Sequence, residues 1–186
     1  MPLMADCDMI DVEAALSAQP KPVDQFAAHY SQNNYLQLLN TQNTVIGNYT
    51  LSKECSVSAH EREQIIEFIS HLHHKKQYKV ETFHIAVSIV DRYFSTLISE
   101  GRQVPNGNLI ATISMLMAAK LEQSVSPSFN RMINLLPEAA REKVTKLSLI
   151  DLEFDILTTL EYELQWASPT LFAERYLQVL GYQNHK

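Results

Sequence analysis

Four charged side chains interrupt segments otherwise rich in apolar residues, and they carry most of the chemical information in this chain. Arg62 and Asp91 sit in two neighbouring amphipathic stretches, Lys120 closes an apolar run, and Glu153 stands between Leu152 and Phe154. Charges on faces selected for burial are rarely tolerated unless paired. Arg62 and Asp91 are therefore expected to form an ion pair that locks two helices together. By spacing alone, Lys120 and Glu153 read as solvent-facing positions, with the lysine stem snorkelling out of the core. His71, His73 and His74 are the best metal candidates, and His71 and His74 share a helix face. A closed site needs four ligands in a deliberate geometry. Beside Lys75 and Lys76 they read instead as the cationic last turn of a helix, which suits its C-terminal dipole. His60-Glu61-Arg62-Glu63-Gln64 fails the His-Glu-x-x-His zinc pattern because glutamine occupies the last position. There is no glycine-rich phosphate loop and no Gly-x-Ser-x-Gly elbow. No catalytic, cofactor or metal site is expected, and the chain does not read as an enzyme.

The elements that must position these residues are helices. Phe26, Tyr30, Leu36 and Leu39 recur at helical spacing between Val23 and Asn40, and Asn40 or Gly47 could end that helix. Ser58-Ala59-His60-Glu61 is a capping-box pattern. It opens a helix with Ile65, Phe68, Ile69 and Leu72 on one face. A second runs from about Glu81 to Ser99, with Phe83, Ala86, Val87, Val90, Phe94 and Leu97 inward, no evident cap, and Gly101 as its stop. Asn106 can cap a third, Asn108 to Leu121, which is apolar nearly all round and so must be covered on every side. Ser126-Pro127 marks a fourth, with proline at the first helical position. A fifth covers roughly Thr145 to Glu161, with Leu149, Leu152, Ile156, Leu157 and Leu160 inward, and the residues around Lys143 before it also suit a helix. Ser168-Pro169 opens a last helix that Gly181 can close. No strand pattern competes, so the fold class is all-α.

Composition narrows the function classes. The 186 residues are 46% hydrophobic and 19% charged, enough for an ordinary core in one domain, or one domain with an extension. With 15 Lys and Arg against 21 Asp and Glu, the net charge of −6 disfavours a nucleic-acid partner, which would require clustered cations. Leu109 to Leu121 is too short to span a bilayer. The first residues carry acids where a secretory signal would carry bases. Cys7 and Cys55 make no disulfide framework. Nucleus or cytoplasm is the expected location. Residues 1–22 read as a tail, 23–57 as a helix and linker, 58–165 as the main box, and 166–186 as a final helix and tail.

Several of these segments, in this order, resemble the cyclin box. Glu81-Thr82-Phe83-His84-Ile85-Ala86-Val87 followed by Val90-Asp91-Arg92-Tyr93-Phe94 resembles its second helix, and Leu116-Met117-Ala118-Ala119-Lys120-Leu121-Glu122 the end of its third. Leu152-Glu153, Ile156-Leu157 and Leu160-Glu161-Tyr162-Glu163-Leu164 resemble its fifth, and Ser168-Pro169-Thr170 the linker beyond. Arg62 falls where the family keeps an arginine that pairs with the aspartate matching Asp91. The likeness covers roughly residues 26–180.

The resemblance implies a single five-helix cyclin box around a central buried helix, with an N-terminal helix and a short C-terminal one. It implies the regulatory subunit of a cyclin-dependent protein kinase, bound as a heterodimer. In the family, the residues matching Lys120 and Glu153 come together and grip main chain near the kinase's αC helix. Those matching Met117, Leu121, Glu122, Lys146 and Tyr162 line the same face. Holding αC inward lets the kinase's Lys–Glu pair and Mg²⁺ site assemble. Two departures are expected to matter. The chain ends 22 residues after Leu164, too few for the second repeat of a typical cyclin. This fits a single-box cyclin or a piece of a longer chain. The family's peptide-recruitment patch falls on Glu61, Gln64, Ile65 and Phe68, where a charge and an amide replace two apolar anchors. Recruitment of Arg-x-Leu peptides by that route is not expected. The competing reading is a cyclin-fold interaction or transcription-adaptor module that binds no kinase.

Overall fold

A computed structural model describes residues 33, 35–40, 49–51, 57–125, 127–136, 138–141, 144–164 and 168–179. The expected tail, most of the 23–57 segment, Ser126, Lys143, Gly181 and both cysteines lie outside them. The described elements are a short 3-10 helix (Tyr49–Leu51) and seven α-helices: α1 (Ala59–Lys76), α2 (Val80–Ser99), α3 (Gly107–Glu122), α4 (Phe129–Ile133), α5 (Glu138–Arg141), α6 (Lys146–Thr159) and α7 (Pro169–Val179). Residues 35–40 are also helical. No strand occurs among the described residues, and no helix there is long and apolar enough to cross a membrane.

The chain divides into two compact units. Residues 42–168 form one, and residues 1–41 with 169–186 form the other. In the smaller unit, Tyr35 and Phe172 meet edge to face with centroids 6.2 Å apart.

The larger unit is built around α3. Its apolar sequence has no solvent-compatible side, and every residue from Ile110 to Ala119 is buried. Helices α1, α2, α4 and α6 pack against it, as all-round apolarity requires. Asn106 starts the helix: its side-chain oxygen accepts from the amides of Asn108 (3.0 Å) and Leu109 (3.4 Å). At Gly107 an added Cβ would lie 2.6 Å from Ile65 Cδ1, so glycine permits the close approach of α1. At the other end, the Gln123 side chain donates to buried Thr82 Oγ1 at 2.7 Å and ties α3 to the start of α2.

The flanking helices follow their sequence signals with small displacements. Ser58 and Glu61 form the capping box of α1. Helix α2 begins at Val80 with no side-chain cap. Helix α4 departs from expectation. Ser128 adopts the extended backbone of a cap (φ −84°, ψ 153°), so α4 starts at Phe129 and Pro127 lies before the cap rather than at the first helical position. A short helix, α5, precedes α6 at Glu138–Arg141; Lys143, where a helix is expected, lies outside the described residues, and Val144 is not helical. Thr145 and Ser148 form a second capping box at α6, whose Leu149 and Ile156 are buried while Leu152 and Leu157 are half-buried.

Candidate functional site: two interhelical ion pairs

Two pairs of opposite charges join helices of the larger unit. The first is Arg62 of α1 with Asp91 of α2. The guanidinium donates through Nε to Asp91 Oδ1 (2.7 Å) and through Nη2 to Oδ2 (2.6 Å), a bidentate geometry. The Asp91 side chain is only 10% exposed, against 35% for Arg62. A third group, unanticipated from sequence, completes this cluster: the Tyr49 hydroxyl donates to Asp91 Oδ1 at 2.6 Å. The Tyr49 ring is buried, meets Phe94 edge to face, and so fastens the 3-10 helix onto α2. Burial first, and then the bond to the Asp91 carboxylate, push the Tyr49 hydroxyl well above its ordinary pKa.

The second pair is Lys120, at the end of α3, with Glu153 of α6. Lys120 Nζ donates to Glu153 Oε1 at 2.5 Å. The lysine side chain is 37% exposed and the glutamate 15%. The two helices thus bring side chains 33 residues apart into one surface group. Lys120 lies within reach of solvent because it follows the last buried position, Ala119, of an otherwise enclosed helix.

Leu147, Ile150 and Phe154 of α6, Leu121 of α3, and Val125 and Tyr162 just beyond the ends of these two helices are all exposed. At roughly 100° per residue, Ile150, Phe154 and Leu147 continue around α6 from the side that carries Glu153. Asp151, Ser148 and Asp155 occupy the opposite side. One flank of α6 is therefore apolar although it faces solvent, which marks an interaction surface more often than a solvated one. The signal was present in the sequence, since Leu147, Ile150 and Phe154 keep helical spacing on a face distinct from Leu149, Ile156 and Leu160.

The other residues expected on this face are distributed unevenly. Leu121, Lys146 and Tyr162 are exposed and Glu122 is half-buried. Met117 is only 2% exposed and belongs to the core, so it can act on the surface only by supporting it from beneath. Tyr162 sits in a tight turn in which both Glu161 (φ 53°) and Tyr162 (φ 63°) are left-handed. Its amide bonds back to the Leu157 carbonyl at 2.8 Å, closing α6. Such backbone is costly for residues with a Cβ.

A further network, also unanticipated, braces α6 from its polar side. Tyr93 donates to Asp155 Oδ2 at 2.5 Å, and Arg102 Nη2 donates to Asp155 Oδ1 and Oδ2 at 2.7 and 2.9 Å. Burial and the Asp155 bond raise the Tyr93 pKa. Arg92 Nη1 donates to the Glu163 carbonyl at 2.5 Å, binding the turn after α6 to α2.

The matched recruitment residues lie on α1. Ile65 is buried, Phe68 is half-buried, and Glu61 and Gln64 are exposed. A groove of about 360 Å³ runs beside them, lined by Glu61, Gln64, Ile65, Val104 and Pro105. The Glu61 carboxylate accepts from the Ser58 amide (2.7 Å) and hydroxyl (2.8 Å), and these bonds lower its pKa. Two of the three candidate histidines are engaged with backbone: His73 Nε2 is 3.2 Å from the Lys79 carbonyl and His74 Nδ1 is 3.0 Å from that of Ser70. Among the described residues no group of three His, Cys, Asp or Glu side chains could hold a metal ion.

The fold and its surface pair define a helical box of a known class. The family model "Cyclin, N-terminal domain" matches residues 32–165. The chain belongs to the cyclin family and carries a cyclin box. Among its relatives are cyclin-B2-1 of rice (Oryza sativa subsp. japonica), 23% identical over 93% of this chain and 39% of that protein, and G2/mitotic-specific cyclin-B2 of Oryzias latipes, 26% identical over 92% and 41%. G2/mitotic-specific cyclin-3 of Saccharomyces cerevisiae is 28% identical over 73% of this chain and 30% of its own length. The chain spans less than half the length of each of these relatives.

Proposed function

We propose that this chain is the regulatory subunit of a cyclin-dependent protein kinase, with a role in cell division in the nucleus or cytoplasm, and that α3 and α6 form its kinase-binding face. The observation that carries this reading is the Lys120–Glu153 pair, assembled from two helices on a surface flanked by exposed apolar side chains. The pair offers a donor and an acceptor of opposite charge side by side, suited to gripping both carbonyls and amides of a partner's main chain. Leu121, Ile150, Phe154 and Tyr162 supply the aromatic and aliphatic anchors that such a polar centre lacks. The family membership and the mitotic names of the relatives support the same reading.

The chain performs no chemistry in this scheme. It binds the kinase conformer whose αC helix is inward more tightly than the inactive one, and the population follows. Moving a kinase from about 1% to about 99% active requires about 5.5 kcal/mol of differential binding. A pair of interface hot spots at about 2–4 kcal/mol each is of the right size.

The test is to measure binding and activation of purified cyclin-dependent kinases by the parent chain and by Lys120→Ala, Glu153→Ala and Glu100→Ala. The first two variants should stay folded and lose both properties, while the third keeps both. A chain that activates no kinase, or Lys120 and Glu153 variants as active as the parent, would overturn the assignment.

A further inference from the structure

The exposed pair has a neighbour that neither charge motif predicts. Phe129, the first residue of α4, is half-buried against the core, and the Lys120 ammonium lies over its ring at 4.9 Å from the centroid. An aromatic face carries negative quadrupole potential, and a cation within about 6 Å of the centroid is attracted to it. Lys120 is thereby held from two directions, by the Glu153 carboxylate of α6 and by the Phe129 ring of α4. Helix α4 packs against both α3 and α6, so the ring keeps its place relative to both charges.

We propose that Phe129 is a positioning residue that fixes the Lys120 ammonium against Glu153, so that the pair meets its partner already assembled. This rests on the reading of α3 and α6 as the kinase-binding face, and adds an element outside both helices to the determinants of affinity. The physical reason lies in the lysine. Its ammonium is a strongly hydrated charge on a flexible four-carbon stem, and this one is 37% exposed. Ordering such a side chain at the moment of binding lowers affinity. A lysine already confined between a carboxylate and a ring has less freedom to lose. Leucine or methionine at position 129 would fill the same half-buried space but offer no quadrupole.

Packing alone would also account for an aromatic residue here, so the experiment separates packing from positioning. In the free chain, NMR of the Lys120 side chain should show its methylene protons shifted upfield by the ring current. Phe129→Leu and Phe129→Met should abolish that shift, and Phe129→Tyr should retain it. Against a purified kinase that the parent activates, Phe129→Leu and Phe129→Met should weaken binding about three- to fivefold. Phe129→Tyr should restore parental affinity. In a Lys120→Met background the Phe129 substitutions should have no further effect. An unshifted Lys120 methylene in the parent would overturn the proposal. So would parental affinity in both Phe129→Leu and Phe129→Met, or a loss that persists in full without Lys120. If the parent binds no kinase, the functional reading fails, and the ring-current shift still decides whether the clamp exists.

Discussion

The two ion pairs use the same elementary chemistry at nearly the same side-chain exposure, 35% and 10% for Arg62 and Asp91 against 37% and 15% for Lys120 and Glu153, and differ in how many bonds each charge already makes. At the α1–α2 seam, Asp91 is nearly enclosed and accepts from Arg62 Nε, Arg62 Nη2 and the Tyr49 hydroxyl. At the α3–α6 surface, Lys120 meets only one carboxylate and one ring among the described residues. The enclosed carboxylate has three of its roughly four acceptor positions filled by its own fold, which suits it to joining segments. An ammonium has three protons to donate, and Lys120 meets fewer acceptors than that, so it retains capacity for another molecule. Charge sign and helical location are alike in the two pairs. What separates the two is the number of partners already in place around each charge.

The comparison breaks first, and most severely, at Asp91. Removing the carboxylate leaves a partly buried guanidinium and a buried phenol without their acceptor. Breaking one partner of such a pair costs about 3–5 kcal/mol. Asp91→Ala is expected to lower stability by that amount in chemical denaturation. Replacing Arg62 and Asp91 together with apolar residues should cost much less, because no charge is then stranded. Equal, small losses in the single and double variants would mean that the seam is not held as the geometry implies.

Lys120 and Glu153 should give the reverse profile. Truncating either is expected to cost about 2–4 kcal/mol of kinase affinity, thirty- to a thousandfold. Thermal stability should fall less than in Asp91→Ala, because Lys120 and Glu153 share a single hydrogen bond whereas Asp91 accepts three. Calorimetric titration alongside thermal melts would separate the two effects. A large loss of stability with affinity intact would place this pair in the same category as Arg62–Asp91.

The sequence made parts of this arrangement legible for local reasons. Helix α3 was readable because a run without a polar side must be enclosed, and α1 because Ser58 and Glu61 spell a reciprocal cap within four residues. The Arg62–Asp91 contact was readable because charges on apolar faces seek partners. Tyr49 was not, since its bond to Asp91 spans 42 residues and depends on where the 3-10 helix lands. The Tyr93–Asp155–Arg102 network and the Phe129 ring were hidden for the same reason. Helical spacing assigns a side chain to a face but does not say which distant side chain occupies the space opposite. Met117 shows the converse: a family match put it on the surface, whereas its own helix is buried throughout at that point.

A smaller effect is expected from pH. Tyr49 and Tyr93 both have raised pKa values, from burial and from hydrogen bonds to Asp91 and Asp155. In the unfolded chain a tyrosine titrates near 10, so below that pH the contribution of the neutral phenols is fully present. As pH rises above about 10, the unfolded chain releases protons that the fold retains, and stability falls. Denaturation between pH 8 and 11 should show that decline. Tyr49→Phe should lower stability at pH 8 by about 1–2 kcal/mol, the cost of leaving its buried partner with one fewer donor, and should make the alkaline decline shallower. An alkaline slope unchanged in Tyr49→Phe would remove Tyr49 from the seam's energetics.

The smallest effect is expected at the α1 groove, which shares features with both regions and belongs to neither. Ile65, Val104 and Pro105 give it apolar walls, as at a docking surface, but Glu61 stands at its edge with the carboxylate already bonded to Ser58. Because those bonds favour the ionised form, the charge persists at neutral pH. An apolar anchor entering the groove would have to strip water from that carboxylate and from the Gln64 amide, and strong peptide anchors need pockets that dry completely. An Arg-x-Leu peptide is therefore expected to bind no better than its scrambled counterpart in fluorescence anisotropy, and Phe68→Ala should change nothing. Glu61→Met combined with Gln64→Ile should create measurable, sequence-dependent binding by removing both desolvation costs. Tight binding by the parent chain that Phe68→Ala abolishes would show instead that the groove accepts the peptide despite its charged edge, and that polarity at the rim does not distinguish a closed surface from an open one.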